Sequence, residues 1–315
     1  MVAASRAIVL LGAQRFNPTL GEAADELGVR GKIATITAGW QERETEDDDL
    51  REHLGERTIN LRLHARADVI FREDPEFRDA HRARQALLRH RQDFYRIRLE
   101  HELAAQHVIR NRVAPAEILA EESRASIQSI RDLDRWHLEQ CSHVRRDFEE
   151  KWKWVERDAI AKQRAELQKI IGDVDAVAIA GGHVAILLNR LELFGIADFL
   201  KGKTLFAWCA GAMALSERVI LFHDTPPQGP GAAEVLDAGL GLVKGIVVLP
   251  QSEFRIKLDD TARVRTMAQR FAPSTCLGMP ARSRMTVRRN RYSHVHDIVQ
   301  IAVDGTHAPL AGEAA

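Results

Sequence analysis

Between Glu46 and Ile171 glycine and proline nearly vanish, while arginine, glutamate, leucine and alanine recur at helical spacing. A run of that length with so few breakers admits long α-helices and excludes a continuous sheet. The residues on either side read differently. AIVLLG (7–12), PTLGEAADELG (18–28) and KIATITAGW (32–40) give strand, helix and strand, the opening of a parallel sheet. Strand signals return after Asp175 in AVAIAGG, TLFAWCAG and GIVVLP, and MTVRRNRYSHVHDIVQIAVDG reads as a terminal hairpin. The expected fold is therefore α/β. An α/β sheet domain comes from residues 1–45 and 172–315, with residues 46–171 inserted as a helical bundle.

Inside the insertion, Asp74-Pro75 has the form of an N-cap followed by proline in the first turn, so one helix ends near Arg72 and another begins. Ala114-Pro115 marks a further start, giving about three long helices, the last reaching toward Lys169. Formal net charge is zero over 315 residues, which removes bulk attraction to nucleic acid or an anionic membrane. The basic stretch 81–102, with Phe94 and Tyr95 among its arginines, reads as a solvated helix face rather than a nucleic-acid site. No apolar segment is long enough to span a bilayer. Three widely spaced cysteines make neither a disulfide framework nor a zinc knuckle, so a reducing cytoplasm is expected. Glu139 and His143 share a helix face without the further ligands a metal needs, and neither metal nor cofactor is expected. Trp136, Trp152 and Trp154 serve helix or subunit packing, and a homo-oligomer is expected.

The chemistry concentrates at TLFAWCAGAMAL. With a strand over 204–208 and a helix from Ala210, Cys209 stands on the turn, between small residues at Ala207, Ala210 and Gly211 that a sharp nucleophile elbow requires. The helix start then favours thiolate and any oxyanion formed in acyl transfer. AIAGGHVAILLNRLELFG is a second strand-to-helix turn, where Gly181 and Gly182 offer backbone N–H groups to an anion.

Together AGGHVAILLNRLELFG, AWCAGAMAL, FHDTPP and GLGLVKGIVVLP resemble the peptidase S51 family, which includes dipeptidase E and cyanophycinase within the class I glutamine amidotransferase-like fold. The resemblance covers roughly residues 1–45 and 172–280. It implies a flavodoxin-like parallel sheet sandwiched by helices and a hydrolase acting on amide bonds of small peptides, with a serine in W-S-A-G-A, a downstream acid, a histidine in a P-H segment and a Gly-rich oxyanion turn. Carried over, the nucleophile position is Cys209, the acid Asp224, and the oxyanion donors the N–H groups of Gly182 and Ala210. The histidine position is Gln251, which cannot shuttle a proton. His183, directly after the glycines, and His223, beside Asp224, are the candidate replacements. Glu253 has the spacing of a His-x-Glu pair whose histidine is missing. The alternative is a catalytically silent scaffold that binds a partner through the inserted bundle.

Overall fold

A computed structural model describes residues 7–223 and 231–312. The chain opens with β1 (Ile8–Leu11), α1 (Leu20–Glu26), β2 (Ile33–Ile36), α2 (Asp48–His53) and β3 (Thr58–Asn60). Four helices follow: α3 (Leu63–Glu73), α4 (Pro75–Arg110), α5 (Ala116–Trp152) and α6 (Asp158–Gly172). The α/β pattern resumes with β4 (Ala176–Ile179), α7 (Val184–Leu193), α8 (Ile196–Phe199), β5 (Thr204–Trp208) and α9 (Ala210–Leu215). Next come β6 (Arg218–Leu221), β7 (Glu234–Ala238), β8 (Ile246–Pro250), α10 (Ser252–Arg255) and α11 (Thr261–Phe271). The chain closes with β9 (Thr275–Met279), β10 (Arg284–Arg288), β11 (Arg291–His296), β12 (Val299–Ile301) and β13 (His307–Pro309).

Seven strands form the central sheet in the order β11-β10-β1-β5-β4-β2-β3. The five from β1 to β3 in that order are parallel, and β10 joins β1 antiparallel. β1, β2 and β4 are buried along their whole length, which is why they read as apolar runs rather than as alternating strands. Their side chains still alternate between two cores. Leu10, Val177, Ile179 and Leu205 face one; Val9, Leu11, Ala178 and Phe206 face the other, where Leu20, Ala23 and Ala24 of α1 cover them. Helices thus pack on both faces of a parallel-rich sheet. A smaller sheet, β13-β12-β9-β8, and the β6–β7 pair complete the strands among the described residues. The expected hairpin is β10–β11, while β12 leaves it to pair with β9.

The stretch 46–171 contributes one strand before its long helices. β3 pairs parallel with β2, Ile33 opposite Thr58, so sheet and helical stretch interleave rather than meet at residue 46. Asp74 caps α4 by accepting from the Phe77 N–H at 3.0 Å, with Pro75 in the first turn. Helices α4 and α5 pack against each other and are tied to the sheet unit by a buried polar node. Tyr95 Oη lies 2.8 Å from Asp134, Arg270 of α11 donates to Asp134 at 2.7 Å from two nitrogens, and the Val235 N–H donates to Tyr95 Oη at 3.0 Å.

Candidate active site

The carboxyl ends of β1, β4, β5 and β8 open into one cleft of about 800 Å³. This is where open parallel sheets place ligands, because strand ends and helix starts converge there. Its walls include Arg15 after β1, Trp40 after β2, Gly181 and Gly182 after β4, Cys209 and Ala210 after β5, and Gln251 and Arg255 after β8.

Cys209 joins β5 to α9 with φ 50° and ψ −120°. An L-residue is seldom found there, and holding it costs on the order of 1–3 kcal/mol. Two glycines make the turn possible. A Cβ on Gly211 would lie 2.2 Å from the Ile179 carbonyl oxygen, so only glycine lets α9 start this close to β4. A Cβ on Gly181 would lie 2.8 Å from Cys209 Cβ, so the diglycine bend abuts the cysteine. The strand-to-helix turn at Cys209 and the diglycine bend after β4 therefore lie side by side. The N–H groups of Gly181, Gly182, Ala210 and Gly211 meet no acceptor among the described residues. All four residues stand around one half-buried thiol, with Gly181, Ala210 and Gly211 buried and Gly182 exposed.

The electrostatics depart from the sequence expectation. Burial pushes the Cys209 thiol up to about 11; the Arg255 guanidinium opposes that shift and Glu253 adds to it. Desolvation is the largest of these influences, and it favours the thiol over the thiolate. The other cysteines, Cys141 and Cys276, are buried, and burial pushes each up to about 12.

His183 is not among the cleft-lining residues. It is the N-cap of α7: its Nδ1 accepts from the Ile186 N–H at 3.4 Å, and its own N–H donates to the Gly39 carbonyl at 2.8 Å. A capping imidazole oriented this way serves the start of α7. Gln251 does line the cleft, half-buried, with φ 55° and its N–H on the Met279 carbonyl at 2.8 Å. Glu253 faces away enough to accept from the Ala281 N–H at 2.9 Å. His223 is an exposed part of the cleft wall. Asp224 lies outside the described residues.

Sequence reasoning missed two cleft residues. Arg255 stands four positions after Gln251, at the end of α10, and it is the cation acting on the thiol. His53 ends α2 and lines the opposite wall; its Nε2 accepts from the Gly21 N–H at 2.9 Å, and burial pulls its pKa below the ordinary value. A second link comes from α4, where Gln92 and Arg96 both bond Glu234 of the cleft wall at 3.0 Å. Glu139 and His143 are exposed on α5, and no group of three or more His, Cys, Asp or Glu stands together for a metal among the described residues. Nor is any described helix long and apolar enough to cross a membrane.

No family model matches this chain, and no curated protein matches it. Among solved structures, it is similar to a peptidase from an acI-B1 Actinobacterium at 12% identity and a TM-score of 0.48, covering 98% of this chain and 96% of that one. It is also similar to a peptidase E-like protein from Listeria monocytogenes EGD-e at 14% identity and a TM-score of 0.30, covering 47% and 65%. At such identities and scores neither likeness assigns a reaction, and the chemistry rests on the residues of this chain.

Proposed function

We propose that this protein is a peptidase-type hydrolase that cleaves amide bonds of small peptides by acyl transfer to Cys209. The observation that carries the reading is the left-handed backbone at Cys209, which holds a thiol against the diglycine bend in a cleft wide enough for a short peptide. In this reading the proton of the thiol passes to His223, the candidate imidazole that shares the cleft with it. Sulfur attacks the carbonyl carbon, and the tetrahedral oxyanion is met by the open N–H groups of Gly182 and Ala210. The C–N bond then breaks, the leaving amine takes the proton back, and water hydrolyses the thioester. Asp224 orients the imidazole. Gln251 hydrogen-bonds substrate from the place where the resemblance implies a histidine.

Residues 1–45 and 172–315 carry this chemistry, and the stretch 46–171 adds a wall to the cleft through Glu46, Asp49 and His53. Three free cysteines accord with a reducing cytoplasm, and a homo-oligomer accords with the apolar residues left exposed on α4. A second reading, a catalytically silent scaffold that binds a partner through the inserted bundle, draws on the thiol at about 11 and on Gln251.

A panel of dipeptides and tripeptides incubated with the wild type, Cys209→Ala and His223→Gln discriminates between them. Release of amino acids by the wild type, lost in Cys209→Ala and slowed in His223→Gln, supports the hydrolase. Binding without release in all three supports the scaffold.

A further inference from the structure

Helix α4 buries one face, carrying Tyr95, Leu99 and Gln106, against the rest of the molecule. Its opposite face is apolar and uncovered. Leu87, Phe94 and Val108 recur there in steps of seven, with His101 at the remaining step, and His90, Ile97 and Ala104 follow three positions after Leu87, Phe94 and His101, so five of the seven seam positions are apolar. Leu87 is 46% exposed, Phe94 66%, Ile97 53% and Val108 61%. A helix face meant for water carries charge at these positions, as α4 does elsewhere; a seven-residue apolar repeat is the seam of a coiled coil.

The edges of the seam indicate what covers it. Asp93 and Glu100 run along one edge, Arg91 and Arg98 along the other. Arg98 also lies over the ring of Trp136 at 4.7 Å, which extends the apolar strip toward α5. If a second α4 is laid alongside in the same direction, Asp93 of each helix falls opposite Arg98 of the other. Reversing one helix sets acidic edge against acidic edge and arginine against arginine.

We propose that residues 87–108 of α4 pair with the same segment of a second copy of this chain as a parallel two-stranded coiled coil about 30 Å long. The seam lies opposite the buried face, which leaves that side of α4 open to a partner helix. This inference does not depend on the reaction assigned to Cys209.

Light scattering of the full chain across a dilution series, with Phe94→Glu/Ile97→Glu beside the wild type, tests the pairing. The expected result is a two-chain mass for the wild type and a one-chain mass for the double variant, with the helical circular dichroism of both alike. Direction is read from cross-linking in a Cys209→Ala background: oxidised Phe94→Cys joins to itself, and a mixture of Leu87→Cys and Val108→Cys gives no hetero-linked product. A one-chain mass for the wild type at every concentration overturns the proposal, as does a two-chain mass that survives the double substitution. A hetero-linked 87–108 product overturns the parallel arrangement.

Discussion

The node at Tyr95, Asp134 and Arg270 and the turn at Cys209 are both polar places in the fold, one buried and the other half-buried, and they are built in opposite ways. In the node every charged group is answered. Asp134 receives Arg270 through both carboxylate oxygens, and Tyr95 Oη bonds Asp134, Arg270 and the Val235 N–H. Around Cys209 the backbone is in a costly conformation, four amide groups have no acceptor among the described residues, and burial raises the thiol. A fully partnered buried network fixes one arrangement of the fold. Strain beside unmet donors persists only where the surroundings enforce it, and it is the feature on which the proposed reaction at Cys209 is built.

The sharpest way to break this contrast is to unpair the node. Asp134→Ala leaves the Arg270 guanidinium, whose side chain is 2% exposed, without its carboxylate, and should cost roughly 3–5 kcal/mol in a urea melt. A loss under about 1 kcal/mol would show that the node is not what secures the helices. Gly211→Ala is expected to cost about 1–3 kcal/mol, because its methyl meets the Ile179 carbonyl, and to slow any Cys209 chemistry with it.

Asp74→Ala removes a helix cap and is expected to cost about 1 kcal/mol. This term also has a pH signature. Arg157 donates to the Asp74 carboxyl and holds it below its ordinary value of 3.8, with the Phe77 N–H adding a smaller pull. A carboxyl lowered on folding contributes fully above 3.8 and loses that contribution as pH falls through its folded value. Wild type and Asp74→Ala should therefore differ in stability at neutral pH and converge in acid; a constant gap across that range would contradict the assignment.

The smallest stability effect belongs to Cys209→Ala, under about 1 kcal/mol, since little surface and no hydrogen bond is lost. Its chemical effect is complete: alkylation at this site disappears. In the wild type, iodoacetamide should react slowly near neutral pH and faster with each step toward pH 11, because only the thiolate attacks. A rate already at its plateau near pH 7 would mean that the cleft supplies a stronger cation than Arg255.

The strand-to-helix turn at Cys209 was legible because its signals are local: a strand, a cysteine between small residues and a glycine two positions on. The Asp74-Pro75 cap was legible for the same reason. The node was not, since Asp134 lies 39 residues from Tyr95 and 136 from Arg270, and no local pattern announces such a meeting. β3 escaped notice because a three-residue strand carries no periodicity, and His53 went with it into a stretch read as purely helical. A capping imidazole and a base look alike in sequence at His183; the direction of Nδ1, toward the Ile186 N–H, shows the cap. The raised thiol was hidden because desolvation depends on what packs around a turn, not on the turn itself.

Intact-protein and peptide mass spectrometry after brief exposure to p-nitrophenyl acetate is the most direct test of an acyl-transfer centre at Cys209. The expected result is one acetyl group on Cys209, formed in the wild type, absent from Cys209→Ala, and released on standing in water. Acetylation confined to surface lysines, with Cys209 unmodified, would contradict it.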